Sequence, residues 1–266
     1  LISRFIVQIV YQRKELVLIS PDKFKPKRRY QMIPITVQDT KPYLLADVKM
    51  NDTTVVRAKL LIDSGASHGL FLDPESNPKI TIPQRNIQSI IGRGIAGEMH
   101  GRIGRVKSLT LGNFEIADVV TNFPDADTYI DTLKISPLVF RNGAIGGEVL
   151  SRFKVIFNFS AEKLYLDKNN LFKKKFYYSL SGLTVKATGK NLNEFVISEV
   201  RESSPSHVAG LMTGDLILKI NGLVAGGLEL NQIIGLFNSL PGRRVSIVVL
   251  RNGQTIRKEF YLEDAI

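Results

Sequence analysis

At 266 residues the chain is long enough for about two domains, and a composition that is 44% hydrophobic and 23% charged excludes a collagenous, low-complexity or disordered polypeptide. The absence of cysteine removes disulfide frameworks, thiol nucleophiles and cysteine zinc sites together, and the longest apolar runs, such as residues 245–250, fall well short of the ~20 residues a membrane-spanning helix needs. A net charge of +11 raises a nucleic-acid reading first. The basic runs at residues 23–29 and 173–175 come with no RNA-binding aromatic signature and no helix-turn-helix pattern. They read as solvated connectors, and no nucleic-acid partner is expected.

The sequence opens on Leu1 with neither a charged leader nor an apolar stretch behind it, so any export signal is expected to have been removed or to lie outside it. Residues 1–32 hold a hairpin and linker whose pattern returns later. With residue n set beside residue n+148, Ile2, Ser3, Arg4 and Phe5 fall on Leu150, Ser151, Arg152 and Phe153; Leu16 and Leu18 fall on Leu164 and Leu166; Phe24 and Lys25 fall on Phe172 and Lys173. Both copies read as strand, polar turn and strand, 5–11 with 15–19 and 153–159 with 163–167. A duplication makes residues 1–32 the tail of an earlier lobe; a chance likeness of two basic hairpins is the alternative.

Residues 33–172 follow as a strand-rich unit. Segments 43–50, 54–62 and 68–72 read as β, with turns at Asn51-Asp52 and Leu111-Gly112-Asn113, and helical periodicity is scarce. Residues 177–266 form a separate, mixed unit, so the fold class is mainly β overall. The chemistry concentrates where the apolar stretch 58–62 runs into Asp63-Ser64-Gly65-Ala66-Ser67. An acid at the end of a strand, followed by a small hydroxyl residue and a glycine, sits on a tight turn where backbone N–H groups can hold the carboxylate.

Leu60-Leu61-Ile62-Asp63-Ser64-Gly65-Ala66 resembles the active-site motif of retropepsin-like aspartic proteases, and two further elements of that family appear in order. Gly92-Arg93-Gly94-Ile95-Ala96-Gly97 resembles the glycine-rich flap hairpin, and Ala144-Ile145-Gly146, with a short helix expected over 148–153, resembles the apolar-apolar-Gly motif. The resemblance implies a β-barrel lobe in which Asp63 is catalytic. It implies that Ser64 locks one loop to its opposite number and that Gly65 brings its N–H to the carboxylates. Ala66, Gly94, Ile95, Ala96, Gly97, Ala144, Ile145 and Gly146 are then expected to line the substrate site. The family's mechanism needs two facing aspartates that share one proton. This chain holds one motif, so the partner is expected from a homodimer mate or from an upstream lobe carrying Asp-Thr/Ser-Gly about 85 positions before residue 1.

Three other patterns compete with this reading. Residues 92–97 fit the G-x-G-x-x-G spacing, but two more glycines and a hairpin-like pattern follow instead of a helix. A serine nucleophile at Ser64 needs a general-base His well upstream, whereas His68, His100 and His207 all follow it. No paired-His metal spacing exists, and His68 and His100 read as surface or packing residues; no metal or cofactor is expected. Arg93, Arg102 and Arg105 near the flap hint at acidic substrates. Glu148 stands where the family usually has Asp.

Gly210-Leu211-Met212-Thr213-Gly214-Asp215-Leu216-Ile217-Leu218-Lys219-Ile220-Asn221-Gly222 resembles the central signature of bacterial PDZ domains. Leu230, Ile233, Ile234 and Phe237 at helical spacing, and a hairpin of 245–251 with 255–262 over Asn252-Gly253, agree with it. The resemblance implies an α/β PDZ domain that takes a ligand peptide as an added strand. Its carboxylate loop is expected at Ser181, Gly182 and Leu183, and its pocket at Leu183, Val185, Ile233 and Phe237. The combined expectation is an aspartic endopeptidase with PDZ-assisted recognition of a peptide or protein substrate, in a periplasmic, cell-envelope or secreted setting. A protease-like scaffold that only binds peptides through its PDZ domain is the alternative.

Overall fold

A computed structural model describes residues 4–94, 97–126 and 139–266; Ile2 and Ser3 of the repeat lie outside them. The chain divides into two compact units, Leu1–Phe176 with Ile266, and Tyr177–Ala265. In the first unit the strands are β1 (Ile6–Val10), β2 (Glu15–Ile19), β3 (Gln31–Pro34), β4 (Thr36–Gln38), β5 (Lys41–Lys49), β6 (Val55–Ile62), β7 (Leu70–Leu72), β8 (Asn86–Gly94), β9 (Gly97–Leu111), β10 (Phe114–Pro124), β11 (Gly143–Ile145), β12 (Phe153–Asn158) and β13 (Lys163–Lys168). One helical turn, α1 (Gly147–Leu150), joins β11 to β12.

The larger sheet runs β4-β5-β6-β11-β7-β10-β9-β8, and an additional β5–β9 pairing closes it into a barrel, which leaves the central strands without free edges. Alternation builds the core: along β6, Val56, Ala58, Leu60 and Ile62 are buried while the residues between them are not. The expected turns are present. Asn51 Oδ1 accepts the N–H groups of Thr53 and Thr54, an Asx turn between β5 and β6, and Gly112 at φ +60° turns β9 into β10.

The smaller sheet runs β2-β1-β12-β13-β3. The N-terminal hairpin therefore does not stand apart from the strand-rich unit; β1 pairs antiparallel with β12 and β3 with β13. Two expected boundaries shift, each for its own reason. The carbonyls of His68 and Gly69 accept the N–H groups of Glu148 and Gly146 instead of continuing a strand, so β7 begins at Leu70. The helix expected over 148–153 is a single turn, because Phe153 and Val155, both buried, already alternate as β12.

The second unit holds β14 (Leu183–Thr188), β15 (Glu194–Val200), α2 (Pro205–Val208), β16 (Leu216–Ile220), β17 (Leu223–Val224), α3 (Leu230–Phe237), β18 (Arg244–Arg251) and β19 (Gln254–Tyr261). Its sheet runs β14-β15-β16-β18-β19. A capping box between Glu229 and Gln232 starts α3, which turns Ile233 and Phe237 into the core. Asp215, buried in the turn before β16, is clamped by Arg251 through Nε–Oδ1 at 2.6 Å and Nη2–Oδ2 at 2.7 Å. Burial pushes the Asp215 carboxyl up, but these bonds and the Met212 N–H outweigh it and hold the group below the usual range. Among the described residues no helix is long and apolar enough to cross a membrane.

Candidate active site

Asp63 leaves the barrel at the end of β6, and its backbone is fixed before its side chain acts. Strand β11 lies between β6 and β7, parallel to the first, with Ile62 opposite Ile145, and antiparallel to the second. The Asp63 N–H donates to Ile145 O at 2.9 Å, and the Gly147 N–H to Ala66 O at 2.6 Å. The two segments 63–66 and 145–147 are thus cross-tied. Two glycines permit the approach: a Cβ on Gly143 would lie 1.9 Å from Phe71 O, and one on Gly146 2.2 Å from His68 O.

Within that frame the carboxylate is held from behind. Asp63 Oδ1 accepts the N–H groups of Gly65 and Ala66, each at 3.1 Å. Asp63 is half-buried, and Ser64 and Gly65 are exposed, which leaves this face of the loop open to a partner. The structure therefore brings Asp63, Ser64, Gly65 and Ala66 together with Ala144, Ile145 and Gly146. Strands β8 and β9 form a hairpin with Gly94 opposite Gly97, the latter at φ +117°, a value that favours glycine. The expected flap residues Ile95 and Ala96 lie outside the described residues. Arg105 is not a substrate-facing cation: its guanidinium donates to the carbonyls of Asp118 and Phe176 at 2.9 and 3.0 Å.

Two further groups that the sequence did not single out as functional feel the charge of Asp63, and a third, Glu148, stands on α1. Tyr11 follows β1, and its ring edge comes within 4.0 Å of where a Cβ on Gly147 would stand. Its hydroxyl is buried with no hydrogen-bond partner among the described residues, and burial together with the negative charge of Asp63 pushes it up to about 12. His68 also has a buried, unpartnered Nε2; burial lowers its pKa, with Asp63 pulling the other way. Glu148 on α1 is raised to about 7 by burial, against the pull of Arg152, Arg105 and Lys174. Arg152 in turn lies flat over the Phe176 ring at 3.4 Å and 4.0 Å from Glu148. Only the repeat could have flagged Tyr11, whose counterpart is Phe159.

In the second unit, β14 is an edge strand and α3 packs against it. Leu183, Val185, Ile233 and Phe237 belong to one buried cluster. The loop before β14 is tightly built: Gly182 is at φ +80°, and a Cβ there would meet the Ser204 side chain at 2.1 Å. The N–H groups of Gly182 and Leu183 are engaged internally, by Ser179 O at 2.9 Å and by Ser181 Oγ at 3.1 Å.

Residues 46–142 match the aspartyl protease family, and residues 179–260 match the PDZ domain family. An aspartyl protease-type domain is followed by a PDZ domain. The aspartyl protease match contains Asp63 and the β8–β9 hairpin but ends before Ala144, which is tied to the end of β6 through the β6–β11 pairing. A PDZ domain implies a peptide ligand. Among solved structures, the chain is similar to a retropepsin-like aspartic protease from Rickettsia conorii, at 19% identity and a TM-score of 0.31, covering 52% of this chain and 89% of that one. It is also similar to the PDZ domain of EpsC from Vibrio cholerae, at 17% identity and a TM-score of 0.26, covering 31% and 80%. A third likeness, to the photosystem II D1 C-terminal processing protease, has 22% identity and a TM-score of 0.30; it covers 32% of this chain and only 22% of that protein.

Proposed function

We propose that the aspartyl protease-type domain supplies one half of an aspartic endopeptidase site, with Asp63 as a catalytic carboxylate and the PDZ domain recruiting substrate. The observation that supports this most is the seating of Asp63, whose Oδ1 accepts two backbone N–H groups on a loop tied to β11. Such bonds orient the carboxylate without neutralising it. When a second aspartate faces it, the two share one proton because like charges in contact cannot both ionise. The ionised carboxylate takes a proton from water as the water attacks the scissile carbonyl, and the protonated one hydrogen-bonds the developing oxyanion. Ser64, exposed beside Asp63, is placed to bond the opposing loop. The β8–β9 hairpin closes over an extended peptide and excludes water. The second aspartate comes from a partner lobe, and a cell-envelope or periplasmic setting belongs to the same reading.

The PDZ domain then offers the free edge of β14 to a peptide strand, with Ser181, Gly182 and Leu183 at its terminal carboxylate and Val185, Ile233 and Phe237 beneath its side chains. Because the Gly182 and Leu183 N–H groups already have partners, a bound carboxylate exchanges bonds with Ser179 O and Ser181 Oγ. A hydroxyl-bearing mimic of the tetrahedral intermediate should block cleavage of a peptide library while leaving the affinity of a free C-terminal peptide for the PDZ domain unchanged. A second reading, peptide binding on an inactive scaffold, is favoured by the edge position of β14 alone. It predicts peptide affinity with no cleavage and no effect of the mimic.

A further inference from the structure

The two hairpins of the smaller sheet are related by more than sequence. In β1–β2 the facing pairs run from Ile6↔Ile19 to Val10↔Glu15, and in β12–β13 from Lys154↔Asp167 to Asn158↔Lys163. A shift of 148 positions lays each pair of one hairpin on a pair of the other. Between the hairpins, Gln8 faces Ile156, and those two residues are themselves equivalent under the same shift. Their neighbours exchange, Val7 with Phe157 and Ile9 with Val155. An antiparallel pair in which equivalent residues face each other, flanked by exchanged neighbours, has a local two-fold axis through that pair.

Burial does not obey the axis. Leu164 and Leu166 are fully buried, whereas Leu16 is 62% and Leu18 40% exposed; Phe153 is 1% and Phe5 38% exposed. These residues share one face of the sheet, because Leu16 and Leu18 lie opposite Ile9 and Val7. On the far side β3 pairs with β13, and Phe114 and Phe172 pack on Phe153. On the near side, β2 is the sheet's edge among the described residues.

The geometry points to a second aspartyl protease-type lobe, folded from polypeptide preceding residue 1, seated on Phe5, Leu16 and Leu18 with β1–β2 as its closing hairpin. This rests on the reading of Asp63 as catalytic in one respect: the lobe is the source of the second aspartate. A second copy of this chain does not fit the axis. Its β12 would have to pair with β12 here, and β1 already holds that edge in the two-fold register. The hairpin also reaches the site, since β1 runs on to Tyr11 beside Gly147. The same axis carries Phe159, the counterpart of Tyr11, to the other aspartate.

The chain has no cysteine, so Leu16→Cys and Leu18→Cys give clean thiol probes, with Val208→Cys, exposed on α2 of the PDZ domain, as reference. Maleimide labelling is compared between residues 1–266 alone and the polypeptide extended to its natural N-terminus. Positions 16 and 18 should label on the order of 100-fold more slowly in the extended protein, with position 208 unchanged; equal rates at 16 and 18 in both overturn the proposal. Sedimentation equilibrium of residues 1–266 should give the 29.7 kDa monomer, and a dimer that Leu16→Lys/Leu18→Lys dissociates overturns it in favour of a second copy. The preceding sequence should carry Asp-Thr/Ser-Gly about 148 positions before Asp63, and its absence overturns it as well. Slow labelling with no cleavage of peptides would sink the protease reading and leave the lobe standing; equal labelling with Asp63-dependent cleavage would do the reverse.

Discussion

Leu166 on β13 and Leu18 on β2 occupy equivalent places in two hairpins of one sheet, paired in the same register, yet the first is sealed and the second lies open to solvent. What separates them is not local. Register and alternation are set within each hairpin by strand pairing and the turn between, whereas burial depends on what the rest of the chain lays over the face. Beside β13 lies β3, and Phe114 of the barrel packs on Phe153 of the adjoining β12; β2 is the sheet's edge among the described residues. The difference teaches that a hairpin's register is fixed locally, whereas the burial of its face is decided by distant parts of the chain.

Truncation should make the contrast quantitative. Leu166→Ala removes a fully buried side chain from a packed core and should lower the unfolding free energy by ~2–5 kcal/mol in urea titrations. Leu18→Ala in the same chain should cost less, below ~1.5 kcal/mol, since Leu18 is already 40% exposed and leaves no sealed cavity behind. Equal costs would break the comparison. A smaller effect comes from the residues that follow β1 and β12. Tyr11→Phe deletes a buried hydroxyl without a partner and should stabilise the fold by up to ~1 kcal/mol, while Phe159→Tyr, at a half-buried position, should shift it by less than ~0.5 kcal/mol. A clear loss of stability in Tyr11→Phe would mean that the hydroxyl has a bonded role.

A different kind of effect is a pH slope on the covered side. Burial raises the Glu148 carboxyl to about 7, so between pH ~4.5 and ~7 the native state keeps a proton that the unfolded chain has released. The stability contributed by neutral Glu148 is therefore full below about pH 4.5 and is lost as pH rises toward 7. Glu148→Gln should flatten the melting temperature across that window; an unchanged slope would assign it to another group.

Much of this was legible in local pattern. Alternation marked both hairpins, β5 and β6; Asn51 and Gly112 marked their turns; the helical spacing of Ile233 and Phe237 marked α3; and the acid-hydroxyl-glycine turn marked Asp63. Features that depend on contacts distant in sequence were not legible. Periodicity says nothing of β11 slipping between β6 and β7, or of β5 meeting β9 to close the barrel. The same limit hid Tyr11 and His68, whose approach to Asp63 is made by chain segments far from each other in sequence or by a loop whose carbonyls turn to α1. The repeat was visible as spacing, but the two-fold axis through Gln8 and Ile156 required the pairing register.

The central claim, that Asp63 performs the chemistry, is tested most directly by comparing wild type and Asp63→Asn for peptide cleavage in the polypeptide carrying its natural N-terminal extension. Asparagine keeps an oxygen for the Gly65 and Ala66 N–H groups but cannot accept a proton from water. Cleavage should fall on the order of 10³-fold or more, with the thermal melt and PDZ peptide affinity unchanged. Cleavage by Asp63→Asn at the wild-type rate would contradict the account.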